Sequence, residues 1–260
     1  MRALSIASTG MEAQQLSIEV IANNLANIST VGFKKGAWDF QDLMYETLKV
    51  PGTNTSTGVV PVGMQLGTGV VPVSVYRTFR QGDFQQTGNP LDMAIQGDGF
   101  FQVSLPDGST AYTRAGSFKL DNQGHIVTVD GYEMLPGLTI PQTATKVSIS
   151  TDGVVSVTTA GSSTATKIGT IELARFTNPA GLESLGQNLF RESMASGSVI
   201  TGTAGLQGFG LIQQGALESS NVNIAEEMVN MIVAQRAYEI NTKAIQVSDQ
   251  ILQYANNLRQ

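Results

Sequence analysis

Apolar residues recur every seven positions at both ends of this chain and lose that spacing in between. Leu4, Met11, Ile18 and Leu25 make one column near the start. Ile224, Met231, Tyr238, Ile245 and Leu252 make another towards the finish. From Arg2 to Ser29 the apolar positions fall three and four apart, through Leu4, Ala7, Met11, Gln14, Ile18, Ile21, Leu25 and Ile28, with Gln14 the one polar member. That spacing predicts a helix that buries one stripe. Gly10 weakens it by about 1 kcal/mol relative to Ala. It reads as a tolerated weak position or as a point of close helix approach. Gly32 suits a left-handed residue closing the helix, and Phe33 an anchor at its exit.

The helical period resumes from Asn223 to Leu258. Asn223 with Glu226 is a capping-box pair, and Glu226 and Glu227 place acid in the first turn, where the helix dipole favours it. Ala237, Ala244, Ile251 and Leu258 run beside the main column, and the small or modest residues Ala234, Asn241, Ser248 and Ala255 lie between. The seam is therefore wide with a shallow middle, suited to close approach by a partner helix. About 35 residues at 1.5 Å each would span about 50 Å. Chain ends are ordinarily polar and frayed. Ends this apolar need burial, against each other or against neighbouring copies.

Between the helices the period changes to two. After a mixed stretch from Phe33 to Tyr45, Pro51-Gly-Thr-Asn-Thr-Ser-Thr-Gly58 is a turn or loop. Val59 to Val75, with Pro61 and Pro72, reads as an extended or hairpin excursion of edge strands. From Tyr76 to Gly215, short strands alternate with turns. Asp92–Gln96, Gly99–Val103, Ala111–Arg114, Ser117–Leu120, His125–Val129, Lys146–Ser150, Val154–Val157 and Lys167–Phe176 are the strand candidates. Asp107-Gly108, Asp121-Asn-Gln-Gly124 and Thr151-Asp-Gly153 are the hairpin turns. Met194 to Gly215 is rich in Gly, Ser and Thr and reads as loop. The expected fold is α+β: a helical inner domain from residues 1–33 and 216–260, a connector with an extended hairpin at 34–75, and a β-rich sandwich or irregular barrel at 76–215.

Composition narrows the function. The 260 residues carry a formal charge of -6 and no Lys/Arg-rich run, which disfavours a nucleic-acid partner. Cysteine is absent, which removes disulfides, thiolate nucleophiles and Cys-ligated zinc together. No run approaches the roughly 18 apolar residues of a membrane span. The start, interrupted by Glu12, Gln14 and Gln15, does not form a secretory leader, so any passage out of the cytoplasm is expected without cleavage.

Candidate chemistry is thin. His125 is the single histidine, set in a predicted hairpin, with no triad partners and no cluster for a metal. Gly97-Asp-Gly99 leads into a strand and not a helix, so it is not a phosphate loop. Asp83, Asp92, Asp98, Asp121, Asp130 and Asp152 could in principle supply a glycosidase pair, but most sit beside Gly or Asn, as turn chemistry requires. Asn27-Ile-Ser29 and Asn54-Thr-Ser56 match a glycosylation sequon, a short pattern with many chance matches. Asn23, Asn24 and Asn27 either bond across a helix interface or cap the helix end. No catalytic, cofactor-binding or metal-binding residue is assigned.

Two segments go further. Ile21-Ala-Asn-Asn-Leu-Ala-Asn-Ile-Ser-Thr-Val-Gly-Phe-Lys-Lys35 resembles the amino-terminal signature of the bacterial flagellar rod, hook and hook-associated axial proteins. Ser220-Asn-Val-Asn-Ile-Ala-Glu-Glu-Met-Val-Asn230, continuing through Met231-Ile-Val-Ala-Gln-Arg-Ala-Tyr-Glu239 to Lys243, resembles that family's carboxy-terminal signature. Leu91-Asp-Met-Ala-Ile-Gln-Gly-Asp-Gly-Phe-Phe101 is similar to its β-domain entry. Within the family, the length and the extra Glu46–Gly69 segment are most like the distal-rod members.

The resemblance implies a coiled-coil-like inner domain of paired termini, a β-rich outer domain and a projecting hairpin. It implies a non-enzymatic subunit, without cofactors, that polymerises into a hollow, rigid driveshaft. The implied partners are further copies, proximal-rod and hook-side axial proteins, ring bushing proteins and the flagellar type III export apparatus. No membrane insertion is implied. The expected subunit-interface residues are Leu4, Met11, Ile18, Ile21, Leu25 and Ile28 at the start, with Ile224, Met231, Tyr238, Ile245, Ile251 and Leu252 at the end. The terminal seams are expected to stay partly disordered until neighbours cover them, because lone amphipathic helices are marginal in water. The competing readings are another rod or hook-type subunit, a secreted β-rich cell-wall-active enzyme with an ordinary intrachain coiled coil, or an adhesin.

Overall fold

The computed structural model describes residues 2–50, 54–55, 58–59, 62–160 and 164–257. Part of the predicted loop at 51–58, together with Pro61 and Leu258, lies outside them. Among the described residues the fold is α+β: a helix at each end and short strands between. The chain forms two compact units. One gathers Met1–Leu25, Gly36–Tyr76 and Asn223–Gln260, and the other Ala26–Lys35 and Arg77–Val222.

In the first unit, α1 (Arg2–Ala26) and α2 (Ile224–Asn257) are the two helices that the seven-residue columns predict. The Asn223 side chain accepts the backbone N–H groups of Ala225 and Glu226, at 3.0 and 3.4 Å, and so caps α2. Strand Gly36–Asp42 pairs with Val70–Arg77. Further along, Tyr45–Lys49 runs antiparallel to Met64–Gly67, with Glu46 opposite Leu66, and Asn54–Thr55 pairs with Gly58–Val59. This ribbon is tied to the start of the chain by an Arg2–Glu46 ion pair at 2.7 Å. The pair is solvent-exposed and contributes at most about 1 kcal/mol.

The second unit is built on a nine-stranded sheet. Its central strands are Phe100–Ser104, Thr110–Thr113, Glu172–Arg175 and Leu189–Arg191. Neighbouring side chains on these strands enter different cores, as a period of two dictates. Phe101, Val103, Ala111, Leu173 and Leu189 join the larger core, and Phe100, Tyr112, Ala174 and Phe190 the smaller. The sheet is therefore covered on both faces. A three-stranded sheet of Ala144–Ile149, Val154–Thr159 and Thr166–Thr170 supplies Ile149, Val155 and Val157 to the larger core. The smaller core is aromatic: Phe79, Phe100, Phe176 and Phe190 meet edge-to-face at 5.2–6.2 Å.

One stretch departs from the sequence expectation. Met194 to Gly215, read as loop, contains strands Ile200–Thr203 and Leu211–Gln214. Ile200–Thr203 adds to Glu172–Arg175, and Leu211–Gln214 to Met93–Gln96. A ready partner edge outweighs a glycine-rich composition, because strand preference depends mainly on context.

The candidate assembly interface

Three contacts set the direction of the helix pair. Asn24 Nδ2 donates to a Glu227 carboxylate oxygen at 3.0 Å. Fourteen residues back along α1 and fourteen on along α2, Asn241 lies over Gly10, where a β-carbon would come within 2.9 Å of Asn241 Nδ2. Beside it the Thr242 hydroxyl donates to Met11 Sδ at 3.4 Å. The helices therefore run antiparallel. Asn24 is fully buried and also closes a two-way bond with Gly36, donating to its carbonyl at 2.9 Å and accepting its N–H at 2.8 Å. Of the two roles open to Asn24 in the sequence, the bond across the helices is the one observed.

The deepest line on α1 is Ala7, Ala13, Ser17, Ile21 and Asn24. Leu4, Met11, Ile18 and Leu25 are half-buried and flank that line, and Ile28, also half-buried, lies beyond the end of α1. Small residues occupy the centre because only they permit so close an approach, and Ser17 turns its hydroxyl back to the Ala13 carbonyl at 3.0 Å. On α2 the covered line runs through Glu227, Met231, Ala234, Asn241, Ile245 and Ser248, with Tyr238 at its margin. Ala234, Asn241 and Ser248 of the predicted shallow middle thus lie on the covered side, and the Ala255 side chain falls outside the described residues. Ile224, Ile251 and Leu252 are exposed.

A further column was legible by its spacing and was not among the sequence-predicted residues. Val233, Ile240, Val247 and Tyr254 are seven apart, and they are 62%, 66%, 54% and 70% exposed. Val229 and Ile251 lie on the same side. Among the described residues, α1 leaves no large apolar side chain exposed. The open apolar surface of the helix pair belongs to α2. The strand Val70–Arg77 adds Val71, Val73 and Val75, all exposed at alternate positions on one face.

Among the described residues, no group of three or more His, Asp or Glu side chains is placed to hold a metal ion. His125 follows the turn at Asp121–Gly124 and bridges to Thr139, with its ring Nδ1 3.2 Å from Asp121 Oδ2. Asp92 is buried by local bonds from Thr87 and Asn89, and Asp107 shapes a turn by accepting from the Ser109 hydroxyl and N–H. No helix among the described residues is long and apolar enough to cross a membrane.

Comparison with known proteins gives matches along the chain. Residues 4–34 match the family described as "Flagella basal body rod protein". Residues 94–157 match "Flagellar hook protein FlgE/F/G D1 domain", and residues 213–258 match "Flagellar basal body rod FlgEFG protein C-terminal". The flagellar basal-body rod protein FlgG of Buchnera aphidicola subsp. Schizaphis graminum is 52% identical over 256 residues, 98% of each chain. That of Borreliella burgdorferi is 50% identical over 262 residues, 100% of this chain and 99% of its own. That of Caulobacter vibrioides is 49% identical over 261 residues, spanning both chains in full.

Proposed function

We infer the function from one premise: this chain belongs to the family of flagellar basal-body rod proteins. It is a structural subunit of the distal rod of the bacterial flagellar basal body and not an enzyme. Beyond that, we propose that it assembles with its own copies into a rigid hollow tube, with α1 and α2 as a coiled-coil-like inner layer. The tube would transmit torque and enclose the export path. The proposed partners are proximal-rod and hook-side axial proteins, ring bushing proteins and the type III export apparatus. The Glu46–Gly69 segment is proposed as a projecting hairpin that braces neighbouring subunits and stiffens the tube.

The supporting observation is the exposed column Val233, Ile240, Val247 and Tyr254 on α2. Burying one such side chain contributes roughly 1.5–3 kcal/mol before ordering entropy is subtracted. A column repeated along a helix is a seam awaiting another helix. A head-to-tail contact between copies that does not close generates a helical tube. The predicted residues Leu4, Met11, Ile18, Ile21 and Leu25, with Met231, Tyr238 and Ile245, are proposed to hold the helix pair together, and Ile28 remains a proposed subunit-interface residue. Ile224, Ile251 and Leu252 are proposed to meet neighbours.

The test compares two classes of substitution in flagellated cells. Leu25→Asp or Ile245→Asp should stop rod assembly by separating the helices. Ile240→Asp or Val247→Asp should stop it while the isolated chain keeps wild-type helix content. The β-rich unit should stay folded in all four. Full-length rods built from Ile240→Asp and Val247→Asp chains would remove α2's open face from the interface.

A further inference from the structure

Lys34 is a cation with no access to solvent, and both it and the carboxylate it meets lie in the β-rich unit. Its ammonium donates to Glu218 Oε1 at 2.6 Å and to the Arg80 carbonyl at 2.8 Å. The residues around it are held as completely. The Val31 carbonyl accepts from Asn188 Nδ2 at 3.0 Å, and the Gly32 N–H donates to the Glu218 carbonyl at 2.8 Å. Phe33 is buried beneath the Arg77 guanidinium, 4.8 Å from its ring centre. The Lys34 carbonyl accepts from Arg77, the Lys35 N–H donates to Asn221 Oδ1 at 2.7 Å, and the Lys35 carbonyl accepts from Thr78 N–H. Gly32 has φ +70°, and a β-carbon there would lie 2.5 Å from the Ala115 nitrogen. Residues 31–35 therefore fit a cradle shaped for a glycine, an aromatic ring and a lysine in succession.

The charge count explains how such a cradle can exist before it is filled. Glu218 faces two cations, Lys34 on one oxygen and Arg114 on the other at 3.4 Å. Arg114 is held independently by the Ile95 and Gly97 carbonyls, at 3.2 and 2.7 Å. Glu218 Oε1 also accepts the Gly82 N–H at 2.9 Å. Without Lys34, the carboxylate keeps a resident cation and a backbone donor, so it is not left as an uncompensated buried charge. Asn221 is fixed in the same way, donating to the Thr78 and Arg80 carbonyls at 2.8 and 3.0 Å.

We propose that residues 31–35 are a latch and that the segments 77–82, 114–115, 188 and 218–221 are its receptor. The latch docks in the free subunit, before any neighbour is present. The chain leaving α1 and the chain entering α2 are thereby clamped together inside the folded β-rich unit. The two helices then need only pair from a common root, in place of closing a loop of nearly the whole chain, whose entropic cost grows with its length. The consequence for rod building rests on the assembly reading above; the docking itself does not.

The experiment has two arms. In the first, the full-length chain in dilute solution is pulsed with acetic anhydride and its lysines are read by mass spectrometry. Lys34 should react at least tenfold more slowly than the exposed Lys119 and Lys146. Lys34 reacting as fast as Lys119 in the free chain, and becoming protected only in isolated rods, would overturn the proposal. In the second arm, Lys34→Met should keep the thermal transition of the β-rich unit and lower incorporation into rods at least tenfold, with Lys119→Met as a control that incorporates normally. Normal incorporation of Lys34→Met, or an unfolded β-rich unit, overturns the latch. Failure of the wild-type chain to enter rods at all would instead count against the assembly reading and leave the first arm to decide the docking.

Discussion

Asn241 of α2 sits directly over Gly10 of α1, so the glycine that weakens one helix is a site where the other lies within reach of a β-carbon. The contact determines what each substitution at position 10 should do. A methyl group there would meet the Asn241 amide at 2.9 Å, and that amide is the mobile end of a side chain. Gly10→Ala should therefore be close to neutral, because a gain of about 1 kcal/mol in helix propensity offsets a small displacement of Asn241. Gly10→Leu should separate the helices, and Asn241→Ala should partly restore the pair. Rod incorporation and the double-mutant coupling check this. Equal effects of Gly10→Leu with and without Asn241→Ala would show that the two residues do not oppose each other.

Asn24 carries a different load. It satisfies both backbone groups of Gly36 and one oxygen of Glu227 from a fully buried position. Asn24→Leu matches it in size and removes all three bonds, leaving Gly36 and Glu227 each short of a partner. The expected loss is about 2–4 kcal/mol, since each stranded polar group costs roughly 1–3 kcal/mol and relaxation recovers part. Asn24→Asp should be at least as damaging, because it sets a second carboxylate against Glu227. Rod incorporation, with hydrogen exchange at Gly36 in isolated rods, reads the outcome. A Gly36 amide as protected in Asn24→Leu as in wild type would show that the bond has been replaced.

Much of this was readable from the sequence. Spacing places the helices at Arg2–Ser29 and Asn223–Leu258, against α1 at Arg2–Ala26 and α2 at Ile224–Asn257. The strand at Gly99–Val103 and the turn at Asp107-Gly108 before Ala111–Arg114 are equally local, and the strands appear at Phe100–Ser104 and Thr110–Thr113. What periodicity does not convey is depth. Ala13, Ser17 and Asn24 lie deeper than Leu4, Met11 or Ile18, because depth is set by how closely the partner helix approaches. The Val233–Tyr254 column had the same seven-residue signal, and only its exposure separates it from the covered seam. Lys34 and Glu218 had no signal in common. They are 184 positions apart, and a single ion pair leaves no period in the chain.

The latch has a pH signature with a definite sign. Burial pushes the Lys34 ammonium below the ordinary lysine value; Glu218 opposes that shift and Arg114 adds to it. The unfolded chain therefore holds this proton more firmly than the folded one. Between the depressed value and the ordinary value of about 10.4, raising the pH favours the folded state. Denaturant unfolding of wild type and Lys34→Met, followed from neutral into alkaline pH, should show wild type gaining on the variant through that window. A difference that shrinks as pH rises would mean that Glu218 outweighs burial and that the site prefers the charged amine.

Phe79 separates the aromatic core from the latch, although it sits one residue from each of Thr78 and Arg80. Its ring covers Phe100 at 5.3 Å and Phe190 at 5.2 Å, edge-to-face with both. Its neighbours' backbones face the other way, Thr78 to Lys35 and Asn221 and Arg80 to Lys34 and Asn221. Phe79→Ala should lower the stability of the β-rich unit by about 2–4 kcal/mol, less than a fully buried phenylalanine because the ring is only half-buried. It should do so while Lys34 keeps its slow acetylation under conditions where the unit is folded. Lys34→Met should give the opposite pattern, with an undisturbed transition and a lost latch. If Phe79→Ala also exposes Lys34 in the folded unit, the segment 77–82 responds as one piece, and the receptor depends on the aromatic core as much as on Glu218.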